Sequence, residues 1–232
     1  RNAIDLETRQ LLSDAFERAG DDPEVRVVVL TGSGGSFSAG VDLGTGASGE
    51  TGHVMMARSE PLAAPVDRCQ KPVIAAVDGP AVGGGFELAL AADIRVASRR
   101  SFFALPEVRI GSLPGSGGTQ RLFSAVPSAI AWKLLLTGDR LSAERAYEVG
   151  LVSDLYDEDE FTDRVRELAM TVATSAPLSL RAVKVAGRAG VAGDRSGLEL
   201  ERTLWAFLST TEDRDEGRAA FRDKRDPEFK GR

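Results

Sequence analysis

Glu87 follows a run of three glycines, Gly83-Gly84-Gly85, that joins an apolar stretch ending at Val77 to an Ala- and Leu-rich stretch. A helix N-terminus presents amide N–H groups without intrahelical partners and about half a positive charge, so it can stabilise a developing oxyanion. Glycine lets a ligand approach that backbone closely. Gly84 and Glu87 stand three apart, which places an amide and a carboxylate on one side of the first helical turn. Such a pair can polarise a carbonyl at the amide and move a proton at the carboxylate. It also suits a purely structural role, in which Glu87 complements the helix dipole and the glycines permit close packing. Alone, the pair leaves both readings open.

Other chemistries are poorly supplied. The 232-residue chain holds one cysteine, Cys69, and one histidine, His53. A single Cys makes no internal disulfide, and no Cys or His cluster has zinc spacing, so no metal is expected. A Ser-His-Asp or Cys-His mechanism would have to use His53, which sits in a Gly-, Ser- and Thr-rich stretch without a nucleophile elbow and reads as a surface loop residue. Proton transfer therefore falls to carboxylates and electrostatic work to backbone amides. Two glycine runs are decoys. Gly44-Thr45-Gly46-Ala47-Ser48-Gly49 has the letters of a dinucleotide fingerprint, but it lies far from the preceding strand and is followed by polar residues, so it reads as loop. Pro114-Gly115-Ser116-Gly117-Gly118-Thr119 lacks the lysine of a P-loop and reads as a turn feeding a helix N-terminus.

The elements that must position Glu87 follow from the apolar pattern. Residues 5–19 have helical spacing and stop at Gly20 and Pro23; Val25–Leu30 is a short buried strand. Pro72–Val77 is a second buried strand, 84–92 a helix and Asp93–Ala97 a third strand, a crossover that implies parallel pairing. The pattern is mostly helical from about residue 116, with one late strand at 151–155. Helical signals at 159–174, 178–189 and 197–224 close the chain, which is α/β first and all-α afterwards. The opening residues enter a helical pattern with no strand or turn signal before it, so the native N-terminus is expected upstream of Arg1. No run approaches the ~18–20 apolar residues of a membrane span and no leader pattern opens the chain, so a soluble, cytoplasmic protein is expected. The net charge of −6 and the composition, 42% hydrophobic and 28% charged, describe an ordinary globular protein and disfavour a general nucleic-acid binder. A polyanionic ligand would need a local basic patch.

Three segments taken together resemble the enoyl-CoA hydratase/isomerase (crotonase) superfamily. They are Ser36-Phe37-Ser38-Ala39-Gly40-Val41-Asp42-Leu43; Lys71-Pro72-Val73-Ile74-Ala75-Ala76-Val77-Asp78-Gly79 running into Gly83-Gly84-Gly85-Phe86-Glu87-Leu88-Ala89; and Leu105-Pro106-Glu107 leading to Pro114 through Leu122. Further similar text runs from Leu136 to Val152 and from Glu216 to Arg225, so the resemblance spans essentially the whole chain. It implies a spiral of β-β-α units over residues 1–176, without the strands that normally precede Arg1, and a C-terminal helical oligomerisation region over 177–232.

The resemblance also implies roles. The amides of Val41 and Gly84 would form the oxyanion hole for a thioester carbonyl, with Val41 narrowing a pocket that often has a smaller residue there. Glu87 would be chiefly the water-activating base and Glu107 chiefly the proton donor, and two glutamates are the pattern of the hydratases. Ala39, Asp42, Leu43, Phe221 and Lys224 would contact coenzyme A, the last two on an adjacent subunit. Coenzyme A is part of the substrate; no metal or redox cofactor is implied. The assembly would be a homotrimer or a dimer of trimers, with no nucleic acid or membrane partner. Arg214, Arg218, Arg222 and Arg225 recur at helical spacing and offer a basic stripe for the nucleotide, unless Asp215, Glu216 and Asp223 neutralise it. The leading expectation is a 2-enoyl-CoA hydratase. A carnitinyl-CoA dehydratase-like enzyme, a double-bond isomerase and a non-catalytic acyl-CoA binder are the alternatives.

Overall fold

The computed structural model describes residues 1–42, 60–193 and 195–232. Leu43, His53 and the Gly44–Gly49 run lie outside the described residues. Ala3–Ile4 (β1) and Leu6–Asp21 (α1) open the chain. The short strand is a correction, since no strand signal precedes the helix. Asp5 caps α1, its Oδ1 accepting from the Thr8 amide at 2.7 Å, a local bond that fixes where the helix begins. Val28–Thr31 (β2) starts later than the apolar run, because residues 22–25 form a turn in which the Val25 amide donates to Asp22 O at 3.2 Å. Gly40–Val41 (β3) pairs in parallel with β1.

Ala64–Arg68 (α2) leads to Val73–Val77 (β4), whose five residues are all buried. Val73, Ala75 and Val77 enter one apolar cluster, and Ile74 and Ala76 enter another. Side chains alternate faces along a strand, so a strand covered on both faces reads as an unbroken apolar run. Pro80–Val82 (β5) is followed by Gly84–Ala91 (α3), then Ile94–Ser98 (β6) and Phe102–Ala104 (β7). β4 and β6 pair in parallel in one sheet, β5 and β7 in parallel in another. Each turn of the chain thus gives one strand to each sheet before a helix follows, which is the expected β-β-α spiral. The four-stranded sheet is completed by β2 and by Asp154–Tyr156 (β9), in the order β2-β4-β6-β9. The late strand begins only at Asp154 because the amides of Leu151 and Val152 bond back to Ala146 O at 2.8 and 3.4 Å.

A single 3₁₀ turn, Glu107–Ile110, precedes Gly118–Ala125 (α4) and Ser128–Thr137 (α5). Leu141–Ser142 (β8), antiparallel to β7, and Ala143–Glu148 (α6) follow. The C-terminal part holds Phe161–Ala173 (α7), Pro177–Val191 (α8), Gly197–Leu208 (α9) and Glu212–Asp223 (α10). The helical stretch expected over 197–224 is therefore two helices. The hydroxyls of Ser209, Thr210 and Thr211 bond to the carbonyls of Ala206, Phe207 and Leu208 at 2.6, 2.8 and 2.8 Å, which competes with the helix ladder and ends α9. α8 is tied to the spiral, since Lys184 Nζ lies 2.6 Å from Asp93 Oδ2, just past the end of α3. Among the described residues no helix is long and apolar enough to cross a membrane.

Candidate active site

All eight residues of α3 are buried, and Glu87, in its first turn, is only 3% exposed. A buried carboxyl is costly unless its oxygens are hydrogen-bonded. The loop before α4 supplies the bonds: the amides of Ser116 and Gly118 donate to Glu87 Oε1 at 2.6 and 2.9 Å. Gly118 must lack a side chain here, because a β-carbon would sit 3.1 Å from Glu87 Oε1 and 2.8 Å from the Pro114 ring. The turn read from Pro114 to Thr119 does feed a helix N-terminus, and that N-terminus is aimed at the carboxylate. Spacing could not reveal this, since the partners lie 29 and 31 residues from Glu87; the signal in the sequence was the second glycine run itself.

The expected oxyanion amides stand side by side. A β-carbon on Gly84 would lie 3.5 Å from Val41 N and 3.3 Å from Val41 Cγ2. Gly84 is the first residue of α3, where the N–H has no partner within the helix. Gly40 makes the approach possible: its φ is +84°, and a β-carbon there would meet Val82 O at 2.6 Å and Gly84 N at 2.9 Å. Only a residue without a side chain satisfies both the conformation and the contact. Leu62, buried to 1% exposure, walls this position, its Cδ2 being 2.8 Å from where a Gly84 β-carbon would stand. Leu62 carried no signal in the sequence beyond being apolar.

Glu107, on the 3₁₀ turn, approaches from the other side, its Oε1 being 3.1 Å from where a β-carbon on Gly83 would be. Its Oε2 is buried and has no hydrogen-bond partner among the described residues. Burial pushes the Glu107 carboxyl above its ordinary value, and the nearby charge of Glu87 adds to the rise. The two glutamates therefore differ in surroundings: Glu87 accepts two amides, whereas Glu107 has a buried oxygen without a partner among the described residues and a carboxyl raised by burial. That division suits a base and an acid.

Ala39 is exposed, its amide bonded to Arg1 O at 3.0 Å, and Asp42 is half-buried, its amide bonded to Ile4 O at 3.0 Å. Ala39, Val82, Ala104 and Pro106 line a cleft of about 610 Å³ whose rim carries Arg1, Arg109 and Arg140. These arginines lie close to the glutamates, because Val82 precedes Gly83 and Pro106 precedes Glu107, and Arg109 is paired with Asp139 at 2.7 Å. Phe221, on α10, is 87% exposed, and Lys224 ends that helix with φ +53°. No bond among the described residues joins either to the glutamates or to the paired amides. The arginine stripe is partly neutralised: Arg225 makes a two-pronged contact with Glu216, at 2.6 and 2.8 Å. Among the described residues no cluster of His, Cys, Asp or Glu could hold a metal ion.

A β-β-α spiral that gathers two carboxyls of unlike surroundings near a pair of amides is an arrangement that can move protons beside a polarised carbonyl. The chain belongs to the enoyl-CoA hydratase/isomerase family, which it matches over residues 1–232. It is 42% identical over 239 residues to the (E)-benzylidenesuccinyl-CoA hydratase of Thauera aromatica, covering 99% of this chain and 91% of that protein. It is 42% identical over 241 residues to the carnitinyl-CoA dehydratase of Salmonella paratyphi A, covering 100% of this chain and 91% of that one. The crystal structure of an enoyl-CoA hydratase from Bacillus anthracis superposes with a TM-score of 0.90 at 33% identity, over 99% of this chain and 91% of that one. The protein is accordingly an enzyme of the hydratase type, a hydro-lyase.

Proposed function

We propose that this hydro-lyase is an enoyl-CoA hydratase, adding water reversibly and syn to a trans-2-enoyl-CoA to give a 3-hydroxyacyl-CoA, in the degradation of fatty or related acyl chains. The observation that carries the reading is the unlike pair of carboxyls beside the Val41 and Gly84 amides. Glu87 takes a proton from a bound water as its oxygen bonds to the β-carbon. The double-bond electrons pass toward the thioester oxygen, where the two amides hold the developing charge. Glu107 then delivers a proton to the α-carbon, so one C–O and one C–H bond replace the π bond. The nucleotide end takes up the basic rim of the Ala39 cleft, with Phe221 and Lys224 of an adjacent subunit completing it in a homotrimer or a dimer of trimers. Neither a metal nor a cofactor beyond the substrate's coenzyme A enters this scheme, and the cytoplasm is the proposed compartment.

The likeness to a carnitinyl-CoA dehydratase favours a second reading, with the same chemistry on a quaternary ammonium substrate. Such a pocket calls for aromatic faces, and the chain has two Trp and two Tyr. Loss of crotonyl-CoA ultraviolet absorbance tests the main reading. Wild type is expected to turn over, and Glu87→Gln and Glu107→Gln each to lose ~10²–10⁴-fold in kcat. Wild type that binds the thioester yet hydrates no chain length overturns the function; full turnover in both variants overturns the residue roles. Running 3-enoyl-CoA and carnitinyl-CoA alongside separates isomerase and dehydratase.

A further inference from the structure

The loop that holds Glu87 also holds the wall of the oxyanion position, and one side chain makes the connection. Ser116 is buried, at 8% exposure. Its amide donates to Glu87 Oε1 at 2.6 Å, while its hydroxyl oxygen accepts from the Leu62 amide at 2.9 Å across 54 residues of chain. Its carbonyl accepts from Arg121 at 2.7 Å, and Arg121 pairs with Asp67 on α2, the helix that Leu62 leads into. All three polar groups of one residue are thus engaged, two of them toward the segment of Leu62 and one on the catalytic carboxylate. We infer that Ser116 is a positioning residue: its hydroxyl sets Leu62 against Gly84, fixing the oxyanion amide and the Glu87 carboxylate relative to each other. The inference rests on the assignment of Glu87 and the Val41 and Gly84 amides given above. Without the hydroxyl the Leu62 amide loses its buried acceptor, and the wall is free to shift. Small displacements in such a site are costly, since a misplacement of about 1 Å can cost ~10²-fold in rate.

The test is Ser116→Ala, with Ser116→Thr as the variant that keeps the hydroxyl. For Ser116→Ala, kcat is expected to fall about ten-fold with KM within about two-fold, because the interaction matters in the transition state more than in binding. Ser116→Thr is expected to recover most of the rate. A conjugated probe, the para-dimethylaminocinnamoyl thioester of coenzyme A, reports the oxyanion position directly. Its absorbance moves to the red when donors hold its carbonyl, and that shift is expected to be smaller in Ser116→Ala. A purely structural serine would lower Tm but leave both the probe shift and the kcat of the folded enzyme at wild-type values, and that outcome overturns the inference. If Ser116→Ala does not yield folded protein, Ser116→Cys, with its longer and weaker acceptor, is judged by the same two readouts. Glu87→Gln run alongside separates the failures: undiminished turnover there sinks the assignment of the base, whereas its loss combined with an unchanged Ser116→Ala sinks only the role of Ser116.

Discussion

Glu107 is the candidate site residue whose ionisation its surroundings shift. Two causes raise it, burial first and the Glu87 charge second, so removing that charge lowers it again. In Glu87→Gln the Glu107 carboxyl is expected to titrate at lower pH than in wild type, read by carbon NMR of labelled glutamate; an unmoved titration would show that the two carboxyls do not feel each other. The sign for stability follows by linkage. A carboxyl raised above its ordinary 4.5 binds its proton more tightly in the folded state, so its contribution is present below that value and is lost as pH rises through the folded titration. Glu107→Gln should therefore unfold at a higher temperature than wild type near neutral pH while losing activity, the usual opposition of site chemistry and stability. Gly40 is the complementary case, a backbone position without chemistry of its own. Gly40→Ala drives a β-carbon into Val82 O and Gly84 N, and a ~10²–10³-fold fall in kcat is expected from the displaced donor, measured on protein shown to be folded by circular dichroism.

At the scale of elements, what the sequence revealed depended on length and on locality. β4 and α3 were legible because five and eight buried residues in a row leave a pattern. β1, β5, β7 and β8 were not, since strands of two or three residues are too short to show alternation and exist through their pairing partners. Gly84 and Glu87 were singled out by the glycine run and their spacing, and Glu107 and Val41 by family likeness, whereas Ser116, Gly118 and Leu62 meet them only across distant parts of the chain. The C-terminal tail shows the same limit. Asp213, 4% exposed, accepts from the amides of Lys230 and Gly231 at 2.7 and 2.8 Å, so the tail folds back on the start of α10. Asp213→Ala is expected to cost about 1–3 kcal/mol in urea unfolding, with faster hydrogen exchange at those two amides. Beside it, bonds from Arg225 and from the Glu228 amide hold the Glu216 carboxyl down at about 2 from its ordinary 4.5. Its contribution is therefore complete above that ordinary value and fades only as pH falls toward 2.

For the whole molecule the central question is how an acidic protein holds an anionic thioester. The net charge is −6, yet Arg1, Arg109 and Arg140 rim the cleft beside the glutamates. Raising salt is accordingly expected to raise KM for the CoA thioester more than it lowers kcat, because screening weakens binding without touching the buried site. Under the trimeric reading, Lys224→Glu should raise KM several-fold at nearly constant kcat, the signature of lost uniform binding. Light scattering that found only monomer would remove the basis for that contact. The exposed Leu198, Trp205 and Phe207 of α9, at 74, 62 and 55% exposure, give such an assembly apolar surface to cover.

Gly84 and Glu87 share one buried helix, whereas Glu107 rides a single 3₁₀ turn at the edge of the site. Under the proposed roles the oxyanion donor and the base share a helix backbone enclosed by the core, while the Glu87 side chain is set from the loop at Ser116 and Gly118. Glu107 is mounted separately, on backbone whose following residues, Val108 and Ile110, are exposed. Under those roles, substitutions around Glu107 can change the second proton position with less disturbance of the core than substitutions around Gly84 and Glu87.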